Sequence, residues 1–234
     1  MGLQWIAALT GAEFFSVGKI EKPIAWMACH FSGYGQGLSN LPQGLPDGSV
    51  LILDDSSPIN GHDPALIFSQ LESWAAVHRP SGILLDLQRP GNAETENLVN
   101  CLLKLPCTVA VSQLYAQNKD CPVFLSPVPP HRNLREHLAP WENREIWLEA
   151  ALETEIATIA KGGSTFEATP LPENTTGFFP EKSRHMCYRV QLINGQAKIT
   201  MVRNKDHISA LLAEAEELGV KKAIGLYQQF GVEI

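Results

Sequence analysis

Ser81-Gly82-Ile83-Leu84-Leu85-Asp86-Leu87-Gln88 is the segment from which the fold can be read. A small residue and a glycine lead into a short strand, and two polar side chains stand at its end. Side chains alternate along a strand, so Leu84, Asp86 and Gln88 share one face while Ile83, Leu85 and Leu87 share the other. A strand apolar on one face, with polar groups only at the C-terminal end of the other, is what a (β/α)8 barrel places at its active-site mouth.

Apolar runs and helix signals alternate on both sides of this strand. Residues 24–30, 50–54, 108–113, 122–126, 145–150 and 223–230 read as further strands. Asp63, followed by Pro64, caps a helix with Ile67, Leu71, Trp74 and Ala75 on one stripe; Asn92 caps a second. Asp206 is expected to cap a third, carrying Ile208, Leu211, Leu212 and Ala215 and stopped by Gly219. This alternation predicts a parallel α/β sheet. No Gly-x-Gly-x-x-Gly opens a helix, and polar residues recur at many strand ends: His30, Asp54, Asp86, Ser112, Ser126, Glu149 and Gln229. An open sheet gathers its polar ends at one switch point, so the pattern favours a closed barrel.

The barrel is expected to be an irregular (β/α)8-type TIM barrel, with six or seven clean parallel strands countable in the sequence. One βα unit is collapsed into the Gly- and Pro-rich loop 31–48. Residues 151–203 break the alternation and read as an inserted antiparallel region. One hairpin joins 155–160 to 164–169 across Lys161-Gly162-Gly163, and another joins 188–193 to 197–202 across Asn194-Gly195. Because the last helix and strand are needed to close the barrel, residues 1–234 are read as a single domain.

The net charge of −7 and the pI near 5.5 provide no electrostatic footprint for nucleic acid or anionic lipid. No window is apolar enough for a membrane span, and Met1-Gly2-Leu3-Gln4-Trp5 lacks a basic leader region. The five cysteines form no CxxC pair, which predicts reduced thiols and a cytoplasmic location. The Asn174-Thr175-Thr176 sequon is then accidental.

The segment 81–88 resembles the strand-4 signature of family 18 glycoside hydrolases, chitinase-like barrels, written Asp-Gly-x-Asp-x-Asp-x-Glu. Gly82 and Asp86 match it, while Ser81, Leu84 and Gln88 replace the first Asp, the second Asp and the terminal Glu. The resemblance covers residues 49–116 and the last 30, where residues 218–227 follow the family's course into a final strand with Tyr227 near the aromatic position that floors the sugar site. A recognisable Met-x-Tyr-Asp strand is missing. The resemblance implies a barrel whose substrate's own acetamido oxygen attacks, with the terminal Glu as proton donor. Gln88 stands where that donor belongs, and an amide does not donate a proton as an acid does.

The expected site follows from these readings. Asp86 is the orienting carboxylate. Glu149, a lone carboxylate at the end of an apolar strand, is the alternative acid, since burial there raises its pKa. Gln88, Tyr227, Tyr34, His30, Asp54 and Gln229 are candidate ligand contacts, with Ile224 and Leu226 facing the helices and Gly225, Tyr227 and Gln229 pointing inward. Asp54, Asp55, His30 and His62 lack a metal-ligand spacing, so neither metal nor cofactor is expected. The expected partner is a saccharide or other small molecule, bound with weak or no hydrolysis. The alternatives are a divergent glycosidase using Glu149 as acid, or an unrelated barrel lyase or phosphoesterase.

Overall fold

A computed structural model describes residues 2–17, 20–35, 37–161, 163–193 and 195–232. Along the chain, β1 (Gln4–Leu9) leads through α1 (Gly11–Val17) into β2 (Ile24–Phe31), and β3 (Leu38–Ser39) pairs antiparallel with β2. Regular alternation follows: β4 (Val50–Asp54), α2 (Pro64–His78), β5 (Gly82–Asp86), α3 (Ala93–Leu102), β6 (Val109–Ser112), α4 (Gln113–Ala116), β7 (Val123–Leu125), α5 (Leu134–Leu138) and β8 (Ile146–Ala150). The inserted strands are β9 (Glu153–Ala160), β10 (Gly163–Ala168), β11 (Phe179–Glu181), β12 (Met186–Ile193) and β13 (Gln196–Arg203). The chain then returns through α6 (Lys205–Glu217) and β14 (Lys222–Leu226) to a last turn, α7 (Tyr227–Phe230).

Eight parallel strands close the barrel in the order β1-β2-β4-β5-β6-β7-β8-β14, with β14 returning to β1. Each strand sends an apolar residue inward, and Ile6, Ala8, Ala25, Val50, Ile52, Leu84, Ala110, Phe124, Trp147 and Ile224 form one interior cluster. Ile83, Leu85 and Leu87 lie on the other side, packed with Ile67, Leu71 and Trp74 of α2 and Leu98 and Leu102 of α3. Full burial of one such side chain stabilises by about 1.5–3 kcal/mol. The inward register of Leu84 and Asp86 is therefore strongly held, because a one-residue slip exchanges the two faces.

At the N-terminal end of the strands the Trp147 ring leaves no room beside Gly82, where an added Cβ would lie 2.6 Å from it. Lys222 Nζ sits 4.0 Å from the centre of the same ring and donates to Ser81 O at 2.9 Å. The motif glycine is thus required by packing at the closed end of the barrel.

Four sequence expectations are corrected. The first barrel strand, β1, lies in a short apolar run that carries no turn signal ahead of it and was not among the expected strands. The last strand ends at Leu226, and residues 227–230 are helical. Its register is also reversed: Ile224 is in the interior cluster, while Gly225 abuts the Trp5 ring, which lies where a Cβ would sit. Finally, α6 is capped by Asn204 rather than Asp206. Asn204 Oδ1 accepts from His207 N, and Asn204 N donates to His207 Nδ1, both at 3.2 Å.

The inserted strands form one antiparallel sheet in the order β10-β9-β13-β12-β11. The two expected hairpins are joined by pairing of β9 with β13. Gly162 and Asn194 of the expected turns lie outside the described residues. Arg203, at 1% exposure, fastens this sheet to the barrel by donating to Val128 O, to His185 O at 3.1 Å and to Arg184 O at 2.8 Å. Among the described residues no helix is long and apolar enough to cross a membrane.

Candidate active site

His30, Asp54 and Asp86 occupy one level of the barrel, paired in register across β2, β4 and β5. A bulge places His30 there: β2 takes three residue steps from Trp26 to Cys29 while β4 takes two, from Leu51 to Leu53. Trp26 and Cys29 both pack in the outer cluster, and the extra residue turns His30 inward. His30 Nδ1 lies 3.2 Å from Asp54 Oδ1, which also accepts from Ser56 N at 2.9 Å.

The loop after β5 is held from several sides. The buried Asp55 carboxylate accepts from Gln88 N at 3.2 Å and Arg89 N at 2.8 Å. Ser112 Oγ donates to Leu87 O and Tyr115 OH to Arg89 O, both at 2.6 Å. Gln88 is thereby fixed at the rim, and its side-chain amide donates to Asp86 Oδ1.

Glu149 follows the inward Trp147 by two residues on β8, so it too points to the mouth. Burial, reinforced by the charges of Asp86 and Glu153, pushes its carboxyl up to about 7. Burial also raises Asp86, the Gln88 hydrogen bond opposes that rise, and Asp54 and Asp55 add to it. Arginines that might have paired with Glu149 are engaged elsewhere: Arg89 donates to Ser56 O at 3.3 Å, and Arg144 to Ala116 O at 2.8 Å and to Cys121 O. Around the barrel, β8 stands three strands from β5 in one direction and three from β2 in the other. Glu149 therefore looks across the mouth at both Asp86 and His30.

The structure thus brings together Asp86, Gln88, Glu149, His30 and Asp54. It does not bring in Tyr227, which begins α7 and packs against the outer cluster. Nor does it bring in Gln229, whose Oε1 accepts from Leu152 N at 2.9 Å and so ties the exit of β8 to α7. The Tyr34 side chain lies outside the described residues. Two acidic residues at the mouth were not anticipated. Glu153, pushed up to about 7 chiefly by burial, has its carboxylate 3.5 Å from Arg203 Nη1. Glu155 pairs with His131 at 2.7 Å. Their Glu-x-Glu spacing on one face of β9, beginning four residues after Glu149, was the available signal. Among the described residues no three His, Cys, Asp or Glu side chains gather as a metal-ligand set. A cavity of about 320 Å³ lies beside the ends of β6 and β7, lined by Gln113, Ser126, His131 and Trp141 among others.

Chemically, the mouth offers a carboxylate held by an amide, a carboxyl that keeps its proton close to neutral pH, and a carboxylate-anchored imidazole. No protein-family model matches the chain, and no curated protein matches it in sequence. Solved structures do match it in fold. The spore cortex-lytic enzyme SleL of Bacillus cereus is 11% identical, over 95% of this chain and 70% of SleL, with a TM-score of 0.56. The C-terminal domain of a chitinase-assigned protein from Desulfitobacterium hafniense is 9% identical, over 96% and 93% of the two chains, at a TM-score of 0.57. A Bacillus subtilis protein assigned as a sporulation-specific glycosylase is 8% identical, over 86% and 90%, at 0.51. At such identities the likeness is one of fold: the chain is a closed (β/α)8 barrel of the kind these structures share.

Proposed function

We propose that this barrel binds a saccharide, of the amino-sugar class, at the mouth framed by His30, Asp54, Asp86 and Glu149, and hydrolyses unactivated glycosides slowly or not at all. The observation that carries this reading is Gln88. It stands two residues after Asp86, where the family that the segment resembles carries its acid, and its amide is spent on the Asp86 carboxylate. A leaving alkoxide then departs without a proton from that position, and general acid catalysis is worth about 10²–10⁴-fold. The names of the fold neighbours, a cortex-lytic enzyme, a chitinase and a glycosylase, support a glycan ligand. The five free thiols support a cytoplasmic location, and hence glycan fragments rather than an extracellular polymer.

One observation favours a second reading. Glu149, with its carboxyl near 7, keeps a proton where a general acid needs one, so a divergent active glycosidase using Glu149 is the runner-up. Calorimetric titration with amino-sugar oligosaccharides, alongside turnover of the same compounds, separates the two. The first reading expects binding that weakens in Asp86→Asn, with no measurable turnover. Robust hydrolysis of an unactivated oligosaccharide that survives Gln88→Ala and disappears in Glu149→Gln overturns it in favour of the second.

A further inference from the structure

The bulge that turns His30 into the mouth supplies a group to which neither reading gives a part in proton transfer. His30 Nδ1 is 3.2 Å from Asp54 Oδ1 and 3.4 Å from Ser56 Oγ. An ionised carboxylate is acceptor-only, so the shared proton is assigned to Nδ1, leaving the Nε2 lone pair, on the far side of the ring, without a partner among the described residues. The His30 side chain is 32% exposed, which leaves it open to water and ligand. A carboxylate-anchored imidazole with a free Nε2 is the arrangement that takes a proton from water in hydrolytic sites.

We propose that His30, oriented by Asp54, is the general base of this site and Glu149 its general acid. A glycoside bound between them is then cleaved by water with inversion at the anomeric carbon, without help from a substrate acetamido group. The inference rests on the second reading above, in which Glu149 is the acid. Water oxygen bonds to the anomeric carbon as one water proton passes to His30 Nε2. The bond from that carbon to the leaving oxygen breaks, and this oxygen takes the Glu149 proton. The site is left with imidazolium and carboxylate, and solvent returns each to its starting state. Two proton-transfer groups on opposite walls suit inversion, which needs room for a water between them. The substrate class accordingly widens to hexosides lacking a 2-acetamido group.

The test combines a readout free of activity with three that need it. Nitrogen-15 NMR of the histidine rings at neutral pH should show His30 protonated on Nδ1, with that assignment disturbed in Asp54→Asn. A proton on Nε2 in the wild type overturns the inference whatever the activity. With 4-nitrophenyl glycosides that carry or lack a 2-acetamido group, rates should agree within about tenfold and proton NMR should show the inverted anomer first. His30→Asn should lower kcat by about 10²–10⁴-fold with little change in KM. A glycosyl fluoride needs no protonation to leave, so Glu149→Gln should retain its turnover while His30→Asn should not. Retention of configuration, or strict dependence on the acetamido group, with activity still lost in Glu149→Gln, overturns the role of His30 and leaves Glu149 as acid. Wild-type protein inert toward every aryl glycoside, or full activity in Glu149→Gln, overturns both.

Discussion

Gln88 and Asp86 meet at the rim of the barrel, two residues apart on one face, with the Gln88 amide donating to the Asp86 carboxylate. The bond engages one oxygen of the carboxylate, and the amide offers no acidic proton at that position. Gln88→Glu places a carboxyl there instead, beside Asp86 and within the field of Asp54 and Asp55. Neighbouring carboxylates hold one proton between them more tightly than either does alone. Turnover of aryl N-acetylglucosaminides should rise by about 10²-fold in this variant, measured by release of the chromophore. An unchanged rate in a well-folded variant counts against Gln88 standing in the acid's place.

Glu149 makes stability depend on pH in a definite direction. Its carboxyl is near 7 in the folded chain, against an ordinary value of 4.5. Between those values the folded state keeps a proton that the unfolded chain has lost. Stability therefore falls as pH rises from about 4.5 to about 7, and the penalty is complete above that. Glu149→Gln removes the penalty, so the variant should be more stable than wild type at pH 8 by about 1–3 kcal/mol, allowing for its partial exposure. The difference should vanish near pH 4, and denaturant titrations at the two pH values check this.

Gly82→Ala tests the closed end of the barrel. The new methyl group would meet the Trp147 ring at 2.6 Å and Thr108 O at 3.0 Å. Overpacking of this kind costs about 1–3 kcal/mol, and the expected result is a lower thermal midpoint with the shape of the far-ultraviolet circular dichroism spectrum retained.

Arg203→Met tests the seat of the inserted sheet. The loss leaves the carbonyls of Val128, Arg184 and His185 without their donor and Glu153 without its neighbouring cation. Removing one partner of a buried charged network typically costs about 3–5 kcal/mol. Limited proteolysis should then cut first within residues 153–203, and Arg203→Lys should recover little, because one ammonium cannot reproduce the fork of a guanidinium.

Much of the fold is written in local pattern. The run Ile83–Leu87 places Asp86 inward because a strand alternates, and the helix caps Asp63 and Asn92 accept from Ala65 N and from Glu94 N and Thr95 N as their side chains suggest. The register of the last strand was not legible. Ala223, Ile224, Gly225 and Leu226 are small or apolar on both faces, so alternation gives no inside or outside. The orientation comes from Trp5, whose ring lies where a residue-225 side chain would sit. Tyr227 was misplaced for the same reason.

For the site, Asp86, Gln88 and Glu149 could be proposed from position alone, since each ends a short apolar run. That Asp86 raises the carboxyl of Glu149 across the mouth depends on barrel closure, and closure requires β1, a strand with no turn signal before it. His30 faces inward through a bulge that only the pairing of β2 with β4 reveals. The sequence by itself determined most of the strands and helices, β1 and α7 excepted, and placed His30, Asp54, Asp86 and Glu149 at or near strand ends, because side-chain periodicity and caps act over a few residues. Tertiary structure alone decided which of those residues face one another, because ladder register and the fit of Trp5 and Trp147 against their glycines join segments far apart in the chain.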